Sequence, residues 1–149
     1  MGKKIFLDYQ SSTPVSDRVL KKMLPFFSEK FANPHSNNHS FGRETNEIVE
    51  KSRIQVAELL NADPSEIIFT SGATESNNLA IKSIAQNYFT DDFQVITCKT
   101  EHKCVLESCY FLEQKKIKVH YLDVSEAGLI NLKDLEELIK IKPSLVSIM

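Results

Sequence analysis

Apolar positions recur along this chain with two periods. In the second half they form short continuous runs separated by amphipathic stretches. Gln94-Val95-Ile96-Thr97-Cys98 and Lys118-Val119-His120-Tyr121-Leu122 are β-branched and aromatic runs of strand length. Between them, Val105, Cys109 and Leu112 give one apolar face to a helix from about Lys103 to Lys115. After a turn at Ser125-Glu126-Ala127-Gly128, Asn131 is placed to cap a helix with the stripe Leu132, Leu135, Leu138 and Ile139. Pro143 closes that helix before Leu145-Val146-Ser147-Ile148-Met149, which reads as a fully buried strand. Buried strands alternating with helices predict an α/β fold with a mainly parallel sheet and helices on both faces. Ligands of such a sheet sit at the carboxyl ends of its strands.

The first half is more helical. A short strand Lys4-Leu7 precedes the polar turn Asp8 to Pro14. A helix capped by Ser16 or Asp17 then runs to about Ser28, with Val19, Leu20, Met23 and Phe27 on its apolar face and Pro25 as a kink or early stop. Asn33 to Ser40 has no periodicity and is dense in turn formers, so it is a loop. His35 and His39 are four apart there, but Pro34 and the asparagines remove the helix that a metal pair at that spacing would need, and no metal is expected. The longest helix runs from Phe41 to Leu60 and ends at Asn61-Ala62-Asp63-Pro64.

Between the halves lies Glu66-Ile67-Ile68-Phe69-Thr70-Ser71-Gly72-Ala73-Thr74-Glu75-Ser76-Asn77-Asn78. It reads as strand, tight turn and helix start, the helix carrying Ile81, Ile84, Ala85 and Tyr88 at i, i+3, i+4 and i+7. A helix start leaves backbone N–H groups without partners at the positive end of the helix dipole, which suits a phosphate. Gly72 allows close approach, and Ser71, Thr74 and Ser76 add hydroxyls. Turns of this composition also serve as plain helix caps. Glu75 would repel a polyphosphate, and no P-loop lysine follows, so a single phosphate is the better fit.

Composition narrows the class without naming a function. With 149 residues, 42% hydrophobic and 26% charged, the chain has the size and content of one soluble domain. A formal charge of −2 gives no basic surface for nucleic acid or membrane; Lys115, Lys116 and Lys118 read as the solvated end of a helix. Ile5-Phe6-Leu7 is too short for a signal peptide core, and a cytoplasmic protein is expected. Cys98, Cys104 and Cys109 fit neither a disulfide frame nor a zinc site and are expected to be reduced, small apolar residues.

Four segments in order carry a resemblance. They are Asp8-Tyr9 with Thr13-Pro14; Asn33-Pro34-His35-Ser36 with His39-Ser40-Phe41-Gly42; Phe69 to Ala80; and Thr100-Glu101-His102-Lys103. Together these resemble the cysteine desulfurases of the class V aminotransferase family of pyridoxal-phosphate enzymes. The resemblance implies the N-terminal portion of a fold-type I PLP-transferase large domain, truncated, with an N-terminal arm and helices over about 1–62 and the strand-helix part over about 63–149. It implies pyridoxal 5'-phosphate as cofactor, its phosphate at Ala73 and Thr74, with His102 stacking on the pyridine ring and doing acid–base work. It also implies L-cysteine as substrate, sulfur passed to an enzyme persulfide for iron-sulfur cluster assembly, alanine as product, and a homodimer or a separate C-terminal half as partner. The family's Schiff-base lysine, in a Ser-x-His-Lys segment, its pyridine-nitrogen aspartate and its persulfide cysteine fall beyond Met149. The chain by itself is therefore expected to be inactive, and a non-catalytic interaction module is the alternative. Gln10-Ser11-Ser12 departs from the Ala-Thr pair usual in the family. A free-standing nucleotide-binding domain is the remaining reading, weakened by the lack of GxGxxG.

Overall fold

The computed structural model describes residues 5–88, 90 and 92–149, in two units, Met1–Ile68 and Phe69–Met149. In the second unit, the central strand β1 (Gln94–Cys98) pairs in parallel with β2 (Lys118–Leu122) from Gln94↔Lys118 to Cys98↔Leu122, and with β3 (Leu145–Val146) at Val95↔Leu145 and Ile96↔Val146. The order among the described residues is β2-β1-β3. Parallel neighbours need crossovers, which α5 (Lys103–Gln114) and α6 (Leu132–Ile139) supply.

A central strand covered on both faces must be apolar at consecutive positions, and Val95 to Cys98 are all buried. Val95 faces a core built with Ile81 and Ala85 of α4 (Ala73–Asn87) and with Val105, Cys109 and Leu112 of α5. Ile96 and Cys98 point the other way, where with Leu122 they meet Leu135 and Leu138 of α6. The expected helices on both faces of a parallel sheet are thus present. Asn131 caps α6 as expected, its Oδ1 accepting from the Lys133 N–H at 3.0 Å. Only part of the predicted α6 stripe is used, because Leu132 is 66% and Ile139 48% exposed.

In the first unit α1 (Asp17–Met23) stops before Pro25, which begins the short α2 (Pro25–Ser28). The proline acts as the sequence predicts: with no N–H to donate to the carbonyl four residues back it cannot continue α1, but it fits a first helical position. Ser16 makes no side-chain cap bond. The long α3 (Ser40–Leu60) ends on Asn61 in the left-handed conformation, and Asp63 and Glu66 form a reciprocal capping box on the 3-10 turn Pro64–Glu66.

Three predicted strands need correction. Residues 67–70 belong to no strand, and Ile68 and Phe69 are 66% and 50% exposed. Branched side chains favour extended backbone, but a strand exists only where another strand pairs with it, and none among the described residues pairs with this segment. The same holds at Ile5 to Leu7, which are exposed and unpaired; Lys4 lies outside the described residues. At the other end only Leu145 and Val146 pair, Leu145 half-buried and Val146 43% exposed rather than fully buried. Tyr88, predicted on the apolar face of α4, is 73% exposed just past the helix end.

Candidate functional site

Gly72 precedes α4 with φ 157° and ψ −177°, a conformation open essentially to glycine. A Cβ there would meet nothing within 4 Å, so the space over the turn is open. Residues 71–76 are exposed, and no side chain caps the helix. The N–H groups of Ala73 and Thr74, in the first turn, therefore have no acceptor along the helix and face outward.

The hydroxyls are less available than the sequence implies. Ser71 donates both its backbone N–H (2.6 Å) and its hydroxyl (2.7 Å) to Glu75 Oε2. Thr70 Oγ1 donates to the Gly72 carbonyl at 3.2 Å and shares a 2.7 Å bond with Ser76 Oγ. Of the three hydroxyls expected to serve a ligand, that of Thr74 is the one without a hydrogen bond among the described residues. The backbone bond from Ser71, and then its hydroxyl, hold Glu75 below its usual carboxylate range, so it is ionised at neutral pH. A carboxylate beside these donors opposes an incoming anion. Glu75→Gln is expected to tighten inorganic phosphate at this turn about two- to fivefold, the modest effect of a solvent-screened charge at a helix end. A phosphate titration followed at the Ala73 and Thr74 amides reads this; unchanged or weaker binding contradicts it.

His102 stands at the second helix start, in the turn that leaves β1. It caps α5, its Nδ1 accepting from the Cys104 N–H at 3.3 Å, and the residue is exposed. Cys104 Sγ lies 3.0 Å from the same nitrogen and accepts from Asn77 Nδ2 of α4 at 3.1 Å. The Asn77–Cys104 contact sets the second turn of α4 against the first turn of α5. Further along, Ala85 and Gln86 line one groove with Phe111, Leu112 and Lys115. The two helices therefore run side by side in one direction and start at one end, beyond the carboxyl end of β1. Thus Ala73, Thr74 and His102 come to the same end of the sheet.

Other candidates have structural work. His39 Nδ1 caps α3 by accepting from the Gly42 N–H at 3.1 Å, a role its neighbours Ser40 and Phe41 do not signal. All three cysteines are free and buried. Burial, then the nearby charges of Glu113 and Glu101, push the Cys109 thiol up to about 11, so it is an inert core residue. Cys104 departs from expectation because it takes part in polar contacts. Lys103 is exposed at the start of α5. Glu101, 8% exposed and part of the Thr100–Lys103 segment, has a role of its own that the sequence does not signal: its Oε1 accepts from the Met149 N–H at 2.6 Å and ties the turn before His102 to the segment after β3.

Residues 5–149 match the family Aminotransferase class-V. The chain belongs to this family. It is 55% identical over 148 residues to the mitochondrial cysteine desulfurase of Drosophila melanogaster, covering 99% of this chain and 32% of that protein. To cysteine desulfurase IscS of Rickettsia massiliae (strain Mtu5) it is 52% identical over 97% of this chain and 35% of the relative. Among solved structures, a NifS-like protein superposes with a TM-score of 0.88 at 44% identity, over 95% of this chain and 39% of the other. A structure described as SspA in complex with cysteine gives 0.83 at 42% identity, over 95% and 40%. This class-V aminotransferase chain spans about a third of the length of the curated relatives it matches. No helix among the described residues is long and apolar enough to cross a membrane.

Proposed function

We propose that this chain provides the phosphate-binding turn and the ring-stacking histidine of a pyridoxal-phosphate-dependent cysteine desulfurase. The observation that carries the reading is the shared start of α4 and α5. Two outward N–H groups, at Ala73 and Thr74, lie at the same sheet end as an exposed imidazole, with open space above Gly72. This donor set fits one phosphate group: two backbone N–H groups, one free hydroxyl and a helix dipole, with Glu75 opposing any greater charge. The likeness to cysteine desulfurases at 52–55% identity supports the substrate as L-cysteine.

Ala73 and Thr74 would hold the cofactor's phosphate, and the His102 ring would lie against its pyridine face. When bound, pyridoxal phosphate supplies the electron sink for chemistry at the cysteine α-carbon. His102 presents a flat face for stacking and a titratable nitrogen for moving a proton. The sequence contains no Ser-x-His-Lys segment, and Lys103 is exposed at a helix start. The 149 residues alone are accordingly expected to bind the cofactor without forming alanine or sulfide, since activity also requires the lysine, the pyridine-nitrogen aspartate and the persulfide cysteine, which these residues do not supply.

The test is a titration of the chain with pyridoxal phosphate and, in parallel, with pyridoxal. Amide shifts at Ala73 and Thr74 and ring shifts at His102 are expected with the phosphorylated compound. Pyridoxal should bind at least about tenfold more weakly, since it loses charge-assisted hydrogen bonds worth about 1.5–3 kcal/mol. Equal affinity, or shifts confined to the groove beside Phe111, would sink the proposal.

A further inference from the structure

We infer that Cys104 and Asn77 are positioning residues for His102: the Cys104 thiol, itself oriented by the Asn77 amide, holds the imidazole in its Nε2–H tautomer with Nδ1 turned into the protein. The value of this to catalysis rests on the proposed function, but the geometry does not.

The protons around the sulfur can be placed in one consistent way. The Cys104 backbone N–H donates to His102 Nδ1, so that nitrogen carries its lone pair and not a proton. The Asn77 amide donates to Cys104 Sγ at 3.1 Å, which makes the sulfur an acceptor on that side. Its own S–H is then free to point at Nδ1, 3.0 Å away. A proton on Nδ1 would instead face the backbone N–H, two donors against each other. The ring proton therefore sits on Nε2, which makes no hydrogen bond within the described residues and lies across the ring from the protein.

An ordinary helix cap would use the backbone contact alone. Here that contact is 3.3 Å, beyond the usual range for a strong N–H bond, whereas the thiol approaches more closely and belongs to a residue only 7% exposed. A thiol has a rotatable hydrogen, and left alone it would point in several directions; the Asn77 donor removes that freedom. Because Asn77 lies in α4 five residues after Gly72, the same link ties the histidine ring to the helix that carries the phosphate donors. A ring held in this way offers substrate one hydrogen-bond donor, the Nε2–H, together with its face. It exchanges a proton at Nδ1 only by giving up its bonds to Cys104.

The test uses the chain with ¹⁵N-labelled histidine, without cofactor, above neutral pH, where two-bond proton–nitrogen correlations report the tautomer of each ring. The wild-type chain should show His102 as the Nε2–H form. Cys104→Ala should raise the Nδ1–H form about fivefold, the worth of one ordinary hydrogen bond. Cys104→Ser, which keeps a hydroxyl donor, should return it towards wild type. Asn77→Ala, at a half-buried position, should raise it in the same direction and carries the test if Cys104→Ala does not fold. A wild-type ring already mixed or protonated on Nδ1, or variants with the wild-type tautomer, would overturn the inference. Failure of pyridoxal phosphate to bind a chain whose ring is held as stated would sink the functional proposal and leave this one standing.

Discussion

Leu112→Ala is expected to lower the stability of the Phe69–Met149 unit by about 2–5 kcal/mol, the range for removing a buried leucine side chain. Leu112 is 1% exposed and sits where α4, α5 and β1 meet, among Ile81, Ala85, Val95 and Cys109. These neighbours are held by backbone elements on three sides and cannot collapse into the space, so the upper half of the range applies. The effect should extend beyond stability. The same contact surface keeps α4 and α5 side by side, so the variant should also loosen the alignment of their N-termini. Urea unfolding followed by β1 and β2 amide signals measures the first effect. A loss below about 1 kcal/mol would show that the site is not rigidly packed.

In the Met1–Ile68 unit the largest effect is expected at Gly42. A Cβ there would lie 2.0 Å from the Ser36 carbonyl oxygen and 2.8 Å from its carbon, both backbone atoms that no rotamer change can move. Gly42→Ala should cost at least the upper end of the about 1–3 kcal/mol typical of overpacking. Relief requires the loop from Asn33 to Ser40 to move off α3, breaking the Asn46 Nδ2 bond to the Pro34 carbonyl and the cap from His39 to Gly42 itself. Helical propensity alone predicts the opposite, since alanine exceeds glycine by about 1 kcal/mol inside a helix. A variant as stable as wild type by thermal unfolding would refute the close approach.

These two residues show what the sequence made legible. Leu112 stands out because its spacing with Val105 and Cys109 is helical, and β1 and β2 stand out because a strand buried on both faces must be apolar throughout. Pro25 and Asn131 act through local chemistry that needs no tertiary context. Gly42 was visible only as part of a motif, because the atom that forbids a side chain belongs to Ser36, in a loop whose path no periodicity encodes. Residues 66–70 misled for a related reason: their β-branched run records a preference for extended backbone, whereas strand formation depends on a partner. At the site, the open turn at the start of α4 was readable from Gly72 and the polar residues that follow it. The engagement of Ser71 by Glu75 and the Asn77–Cys104–His102 chain were not. The latter joins side chains 27 residues apart, brought together by the packing of α4 on α5.

The central claim is that the backbone at the start of α4 grips a phosphate beside His102, and Ala73→Pro tests it most directly. Proline is tolerated at a first helical position and removes one N–H while leaving the helix in place. Isothermal titration of the wild-type and Ala73→Pro chains with pyridoxal phosphate should show affinity falling about tenfold or more, as for loss of a hydrogen bond to a charged group, with the circular dichroism spectrum unchanged. Undiminished affinity in a folded Ala73→Pro chain would contradict the account.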